Sequence, residues 1–444
     1  MKLLFITPEY LPDSGGGIIT FYRFLLPEMV RQGHAVTVVV ADGRHIGEAE
    51  RMIDGVRVRY LEAAAHGRWL QRFARYTVVF PWLQENLALA WAAWESAGQG
   101  AGWDHVEVTE WPLLFIPWVL HRERVPSTVQ LHGSHGQITL GDGTGTADFH
   151  DPWVRLIECA LLREAPAVQT NSALNARFWE ERLGRPVSVE NPGFQVGSTP
   201  PAGSGKLRRP LLGRVFGRFN AGKGALALAE SLAATPTLPL TIEWYGNDTA
   251  YGTSTVAAAL RARFPHVLEH TLRHHRQIPH DEVLARLTDG AFVLIPTLCD
   301  VFNLTAAEAM AMRAVVVCSR HAGACELIED GVNGFLYDPL RSGDLARVLD
   351  RLAALSDAGI ARMTDAAAQT VHDRLDPARS VARRIGFYAD RTAAAPSPPL
   401  SAWFGEAVSG SDAPCDPGAL LDRCGFSELT AAVLRRAPAP FGKK

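Results

Sequence analysis

Two α/β domains, each a doubly wound parallel sheet, are what the sequence predicts, on three observations. Short apolar runs rich in Val, Ile and Leu alternate with longer stretches of helical periodicity in both halves of the chain. Between the halves lies GSTPPAGSGKLRR, Gly197 to Arg209, rich in Gly, Pro and Ser and without apolar periodicity, which reads as a linker. With 444 residues and 47% hydrophobic content, the chain can bury two sizeable cores.

In the first half KLLFIT is the first strand and IITFYRFLLPEMVRQG the first helix, followed by AVTVVVA, DHVEVTE, STVQLHG and AVQTNS as strands, with LLFIPWVLHR and DPWVRLIECALLREA among them. The second half repeats the pattern with LLGRVFG, LTIEWYGN, AFVLIP, AVVVCS and GFLYDP as strands, and ALALAESLAA, DEVLARLTDG, TAAEAMAM and DLARVLDRLAAL as helices. Such βα alternation predicts parallel sheets covered on both faces, with ligand crevices at the carboxyl ends of the strands. The expected divisions are a first domain over 1–196, the linker over 197–209 and a second domain over 210–378. Residues 393–444 form a tail rich in Pro, Ala and Ser, read as a disordered linker with one terminal helix (SELTAAVLRRA), the alternative being a docking element.

Against 44 basic residues stand 47 acidic ones, a formal charge of −3, so nothing drives the whole chain toward nucleic acid and any anion site must be local. The six cysteines, at 159, 299, 318, 325, 415 and 424, show neither a C-x-x-C pair nor zinc spacing and read as reduced thiols. The opening MKLLFITPEYLP is too short an apolar run for a signal-peptide core, and no stretch reaches the ~18 apolar residues of a membrane span. A cytoplasmic location is expected, with peripheral contact at the inner membrane face held open by one segment. In RWLQRFARYTVVFPWLQENLALAWAAW, Arg68, Arg72 and Arg75 stand beside Trp69, Phe73 and Tyr76, as on an anionic membrane surface, although a packed core helix fits the same residues.

Chemistry is concentrated in Pro296 to Pro339, where Asp300 ends the loop after AFVLIP and Glu308 lies in the helix beyond it. Separated carboxylates suit the hydroxyl pairs of a sugar and a ribose, and helix-start amides between them suit a diphosphate. Thr305-x-x-Glu308 also fits a capping box, in which Glu308 only closes a helix N-terminus. Upstream, Gly217-Arg218-Phe219-Asn220-Ala221-Gly222-Lys223-Gly224 sets two cations on a Gly-containing loop between a strand and a helix. Gly15, Gly16 and Gly17 precede the first helix, either as a plain turn or as a loop whose amides face an anion. His132 follows a strand in QLHGSHG, a position that also suits a structural histidine, and no carboxylate or cysteine stands at metal-ligand spacing beside it and His135. Glu110, in VTEWP, is a candidate for contact with an acceptor.

These features together resemble the retaining, GT-B-fold glycosyltransferases of family 4, the glycosyl transferases group 1 family, over residues 1 to about 390. The marks are TPEYLPDSGGGIITF, His132 after STVQLHG, Asn191-Pro192 at the domain crossover, the Arg218/Lys223 loop and the acidic pair Asp300 and Glu308. The resemblance implies two Rossmann-like domains facing across a cleft and a last helix, over 379–392, crossing back to the first domain. It implies a nucleoside-diphosphate sugar donor, a hydroxyl acceptor (glycan, lipid-linked or small molecule) bound mainly by the first domain, and neither metal nor other cofactor. Arg218 and Lys223 would stabilise the leaving diphosphate, Glu308 would hold the ribose, and Asp300, with Asn303, Leu304 and Thr305, would meet the sugar and phosphate. Gly16 and Gly17 would let the first domain approach the donor, and His132 would lie near its sugar. Two positions depart from the family pattern: Asp300 is one methylene shorter than the usual glutamate, and Asn303 replaces a glycine. A GT-B isomerase, a phosphorylase or a non-catalytic sugar-nucleotide-binding protein are the alternatives.

Overall fold

The computed structural model describes residues 1–13, 16–78, 80–142, 151–234 and 239–394. Gly15, the side chain of Arg75 and the predicted tail from 395 onward lie outside the described residues.

The first sheet is built from β1 (Lys2–Thr7), β2 (Ala35–Val40), β3 (Arg51–Ile53), β4 (Val56–Tyr60), β5 (His105–Thr109), β6 (Ser127–Leu131), β7 (Val168–Thr170) and β8 (Ser188–Val189), in spatial order 3-4-2-1-5-6-7-8. All neighbours are parallel except the β3–β4 hairpin. The connecting helices are α1 (Gly17–Arg31), α2 (Ala63–Arg72), α3 (Pro81–Ser96), α4 (Ile116–Leu120), α5 (His135–Asp142), α6 (Asp151–Glu164) and α7 (Ala173–Leu183). Burial on both faces explains why β1 and β2 read as continuous apolar runs.

The second sheet orders β9 (Leu211–Phe216), β10 (Leu240–Tyr245), β13 (Leu272–His275), β14 (Phe292–Ile295), β15 (Val316–Ser319) and β16 (Phe335–Tyr337) as 13-10-9-14-15-16, all parallel; β11 (Ala250–Tyr251) and β12 (Ser254–Thr255) form a separate ribbon. Its helices are α8 (Ala225–Ala233), α9 (Val256–Arg263), α10 (Pro265–His270), α11 (His280–Arg286), α12 (Leu304–Ala311), α13 (Asp344–Ala353) and α14 (Asp357–Arg374). Both sheets therefore have the doubly wound order that reverses direction once, between β1 and β5 in the first and between β9 and β14 in the second. Such reversals are where doubly wound sheets place their ligand crevices.

The last described helix, α15 (Pro377–Ala393), returns to the first domain and packs along α1, with Val381 and Tyr388 buried among Phe5, Tyr22 and Leu25. Arg384 and Glu107, both fully buried, form an ion pair there, and Tyr388 Oη donates to the same carboxylate. Arg383 adds an ion pair with Glu190 at 2.7 Å.

The aromatic and basic stretch behaves as packed helices. Trp69 stacks on Trp91 at 5.1 Å and on Phe73 at 6.0 Å, and both of those partners are buried. Trp69 Nε1 donates to Glu95 at 2.9 Å, and the same carboxylate pairs with Arg68. Those rings face the core, which favours the packed reading over the membrane-surface one. Among the described residues no helix is long and apolar enough to cross a membrane.

Candidate functional site

Because β9 and β14 are neighbours, with Phe292 opposite Gly213 and Val293 opposite Arg214, the loops at their carboxyl ends lie side by side at the reversal of the second sheet. Gly224 begins α8 with φ 89°, and a Cβ there would lie 1.9 Å from the Pro296 carbonyl oxygen, so only glycine allows this approach. The Leu298 amide donates to Gly222 O at 2.9 Å. This contact carries Lys223 to Asp300, with Nζ 2.6 Å from Oδ2; the side chains are 32% and 15% exposed. Arg218, in the same loop as Lys223, is exposed; its carbonyl accepts from the Asn220 amide at 3.0 Å, while its guanidinium has no hydrogen bond or ion pair among the described residues.

Asn303 caps α12 in a left-handed conformation, φ 82°, its Oδ1 accepting from the Ala306 amide at 3.1 Å and its Nδ2 donating to Asp300 Oδ2 at 2.9 Å. The capping-box alternative for Glu308 therefore fails: Asn303 is the cap, Thr305 is inside the helix, and Glu308 lies in its second turn. The amides of Leu304 and Thr305, in the first turn, have no acceptor among the described residues. Glu308 is nearly buried, and its Oε1 receives His280 Nε2 at 2.8 Å; that hydrogen bond lifts the imidazole above its ordinary pKa. His280 was not anticipated, since a histidine at the start of a short helix carries no spacing signal. The second domain thus gathers two cations, free helix-start amides and two separated carboxylates at one edge. Cations and amides hold phosphate oxygens, and carboxylates accept from hydroxyls.

On the first domain, His132 follows β6, and Gly133 beside it has φ 125° and would place a Cβ 3.7 Å from Val301 Cγ2, next to Asp300. The His132 loop therefore approaches the second domain at Val301, the residue after Asp300. Its ring lies 4.9 Å from Phe21 and its Nε2 3.4 Å from Tyr22 Oη; burial, and then the nearby Arg384, push its pKa down to about 3 and keep it neutral.

Glu110 requires a correction. It is fully buried, its Oε1 accepting from the amides of His132 at 2.6 Å and Gly133 at 2.7 Å, and its Oε2 from Trp111 at 3.3 Å, so it holds the loop from behind and does not face an acceptor. Glu158, equally buried, takes the amides of His135 at 2.9 Å and Gly136 at 3.0 Å. Burial pushes the two carboxyls up, to about 8 for Glu110 and about 7 for Glu158.

At the start of α1, Gly16 has φ 27° and would set a Cβ 2.2 Å from Glu9 Oε1, while the Ile19 amide bonds to the Glu9 carboxylate. One helix-start donor is thus used within the chain, which the run of glycines did not foretell. Gly17 is exposed with open space beside it. Nearby, ligand-type atoms of Asp13, Asp42 and His45 converge within 4.8 Å, but Arg44 Nη2 already sits among them, 2.8 Å from Asp42 and 3.2 Å from Asp13.

The two domains are pinned beside the site. Ser172 Oγ donates to Val301 O at 2.7 Å, and Glu326 accepts the amides of Ala173 at 3.0 Å and Leu174 at 2.6 Å, so a carboxylate of the second domain closes the N-terminus of α7 in the first.

Comparison with known proteins follows the same division. The family model described as "Glycosyl transferases group 1" matches residues 215–354, and that described as "Glycosyl transferase 4-like domain" matches residues 16–191. A sucrose synthase from Acidithiobacillus caldus is 34% identical over 120 residues, a match spanning 24% of this chain and 15% of that enzyme's own length. Among solved structures, the sucrose-phosphate synthase of Thermosynechococcus elongatus superposes with a TM-score of 0.63 at 15% identity, covering 89% of this chain and 100% of that one. The Anabaena protein Alr3699/HepE in complex with UDP and glucose gives 0.62 at 19% identity, covering 88% and 100%. The catalytic domain of Arabidopsis thaliana starch synthase IV gives 0.61 at 12% identity, covering 88% and 99%. At these identities the likeness is one of fold.

Proposed function

Since the chain belongs to the glycosyl transferases group 1 family and has the GT-B architecture, we propose that it moves a sugar, with retention of configuration, from a nucleoside-diphosphate sugar to a hydroxyl acceptor. The observation that carries this reading is the convergence at the reversal of the second sheet, where Lys223 and Asp300 meet at 2.6 Å with Glu308 in the helix that follows. In it Arg218 and Lys223 meet the diphosphate, whose charge grows as the bond to the sugar breaks, and the free amides of Leu304 and Thr305 complete the anion site. Fixed cations do this without a metal. Asp300 takes a hydroxyl of the transferred sugar and Glu308 the ribose hydroxyls.

The acceptor enters from the first domain, past the His132 loop. Among the described residues no side chain stands out as a nucleophile, so attack on the face the diphosphate leaves is the proposed course, the departing phosphate taking the acceptor proton. Neutral His132 can accept or donate one hydrogen bond to the sugar without adding charge. Domain apposition excludes water, which would otherwise hydrolyse the donor.

Calorimetry with uridine, adenosine and guanosine diphosphates and their glucose conjugates tests the reading. Uridine compounds head the panel because the similar Anabaena protein is known in complex with UDP and with UDP-glucose. A selective ligand is expected, with Lys223→Ala and Glu308→Ala each weakening it by ~1.5–3 kcal/mol, about tenfold to over a hundredfold. Unchanged affinity in both variants would remove the site assignment. Arg218→Ala is expected to lower kcat more than ground-state affinity, because its guanidinium meets charge that develops later.

A further inference from the structure

We propose that Asn303 is a positioning residue for Asp300: with Lys223 it fixes one carboxylate oxygen and turns the other toward the transferred sugar. The proposal rests on the donor-site reading above and adds to it how a shortened acidic side chain is aimed.

Two donors from different elements share Asp300 Oδ2, Lys223 Nζ at 2.6 Å and Asn303 Nδ2 at 2.9 Å. Oδ1 has no partner among the described residues, and the side chain keeps 15% exposure. The backbone of Asp300 is held on both sides, its amide donating to His321 O at 3.2 Å and its carbonyl accepting from the Gly323 amide at 3.0 Å. What remains free is the short side chain, chiefly rotation of the carboxylate. A flexible ammonium alone fixes that rotation poorly, because Lys donors turn about a long stem. The Asn303 amide is planar and is itself anchored, its Oδ1 bound to the Ala306 amide at 3.1 Å and its backbone set at φ 82°. A sugar hydroxyl therefore meets a single acceptor oxygen already aimed, in place of a carboxylate free to offer either.

Asn303 has two separable roles, capping α12 through Oδ1 and holding Asp300 through Nδ2. Asn303→Asp separates them: a carboxylate still caps the helix, but it presents a like charge to Asp300 where a donor stood. Tm, calorimetry with UDP, ADP and GDP and their glucose conjugates, and ligand-free crystal structures are measured for wild type, Asn303→Asp, Asp300→Asn and Lys223→Ala. Asn303→Asp is expected to keep wild-type Tm and to weaken binding of the free nucleoside diphosphate, whose phosphates share the α12 start with the new charge, at least about tenfold less than that of the sugar conjugate. It should lose at least about tenfold in affinity for the sugar conjugate, as Asp300→Asn does, and show the Asp300 carboxylate rotated. Should Asn303→Asp lower Tm, Asn303→Gly, which keeps the left-handed backbone and removes both contacts, is expected to show the same selective loss. Wild-type conjugate binding and an unmoved Asp300 in Asn303→Asp, beside a loss in Asp300→Asn, would overturn the positioning role and leave the donor site standing. Unchanged binding in both Asp300→Asn and Lys223→Ala, or binding of no compound by wild type, would overturn the donor site and the proposal with it.

Discussion

Glu110 and Glu158 hold protons that the same residues would release once unfolded, because their carboxyls titrate at about 8 and about 7 in the folded chain against an ordinary 4.5. The unfolded state then binds fewer protons, so stability falls as pH rises toward 8, by up to about 1.4 kcal/mol per pH unit for each carboxyl still protonated. Below pH 6.5 the trend is opposed by His105 and His132, each pushed down to about 3, which refuse protons that unfolded histidines accept. Urea unfolding of wild type between pH 6.5 and 8 is expected to show the decline, and Glu110→Gln, which imitates the protonated carboxyl, is expected to flatten it. An unaltered slope in the variant would assign the effect elsewhere. What the sequence showed at this scale was residue type and neighbourhood. The positive φ of Asn303 and the separation of Asp300 from Glu308 follow from local chemistry. The burial of Glu110 depends on a loop twenty-odd residues away and leaves no local trace.

Among the elements, the strands beside the site were legible because parallel strands covered on both faces must be apolar throughout. The loops between them were legible where glycine was compulsory. Gly224 is such a case: at φ 89° and with a prospective Cβ 1.9 Å from Pro296 O, alanine requires either the α8 start or the end of β14 to move. Gly224→Ala is expected to cost at least about 2 kcal/mol in denaturant unfolding and to separate Lys223 from Asp300, reducing donor affinity as Lys223→Ala does. Full retention of both would mean that the loop approach has no consequence. Glu9 at the start of α1 and His280 beside Glu308 were missed for one reason: each reaches its partner across a loop, and neither spacing repeats a helical or strand period.

At the scale of the whole molecule, an ion pair between residues far apart in the chain is also among the most deeply buried. Arg384 in α15 meets Glu107 in β5, and both side chains are without solvent exposure. Arg384→Leu leaves an unpaired carboxylate inside the first domain and is expected to destabilise it by about 3–5 kcal/mol, read as a lower urea midpoint; replacement of both partners by apolar residues should cost far less. Equal losses for the single and the double variant would show that packing, not charge, matters there. The pairing spans 277 residues of chain, and this has a bearing on biosynthesis. A nascent first domain leaves the ribosome with Glu107 unneutralised and the α15 groove uncovered. It stays so until the second domain has also been translated, on the order of ten seconds to a minute at ordinary elongation rates. The domain made first is thus the last to be completed, and through that interval its apolar groove is a natural client for chaperones.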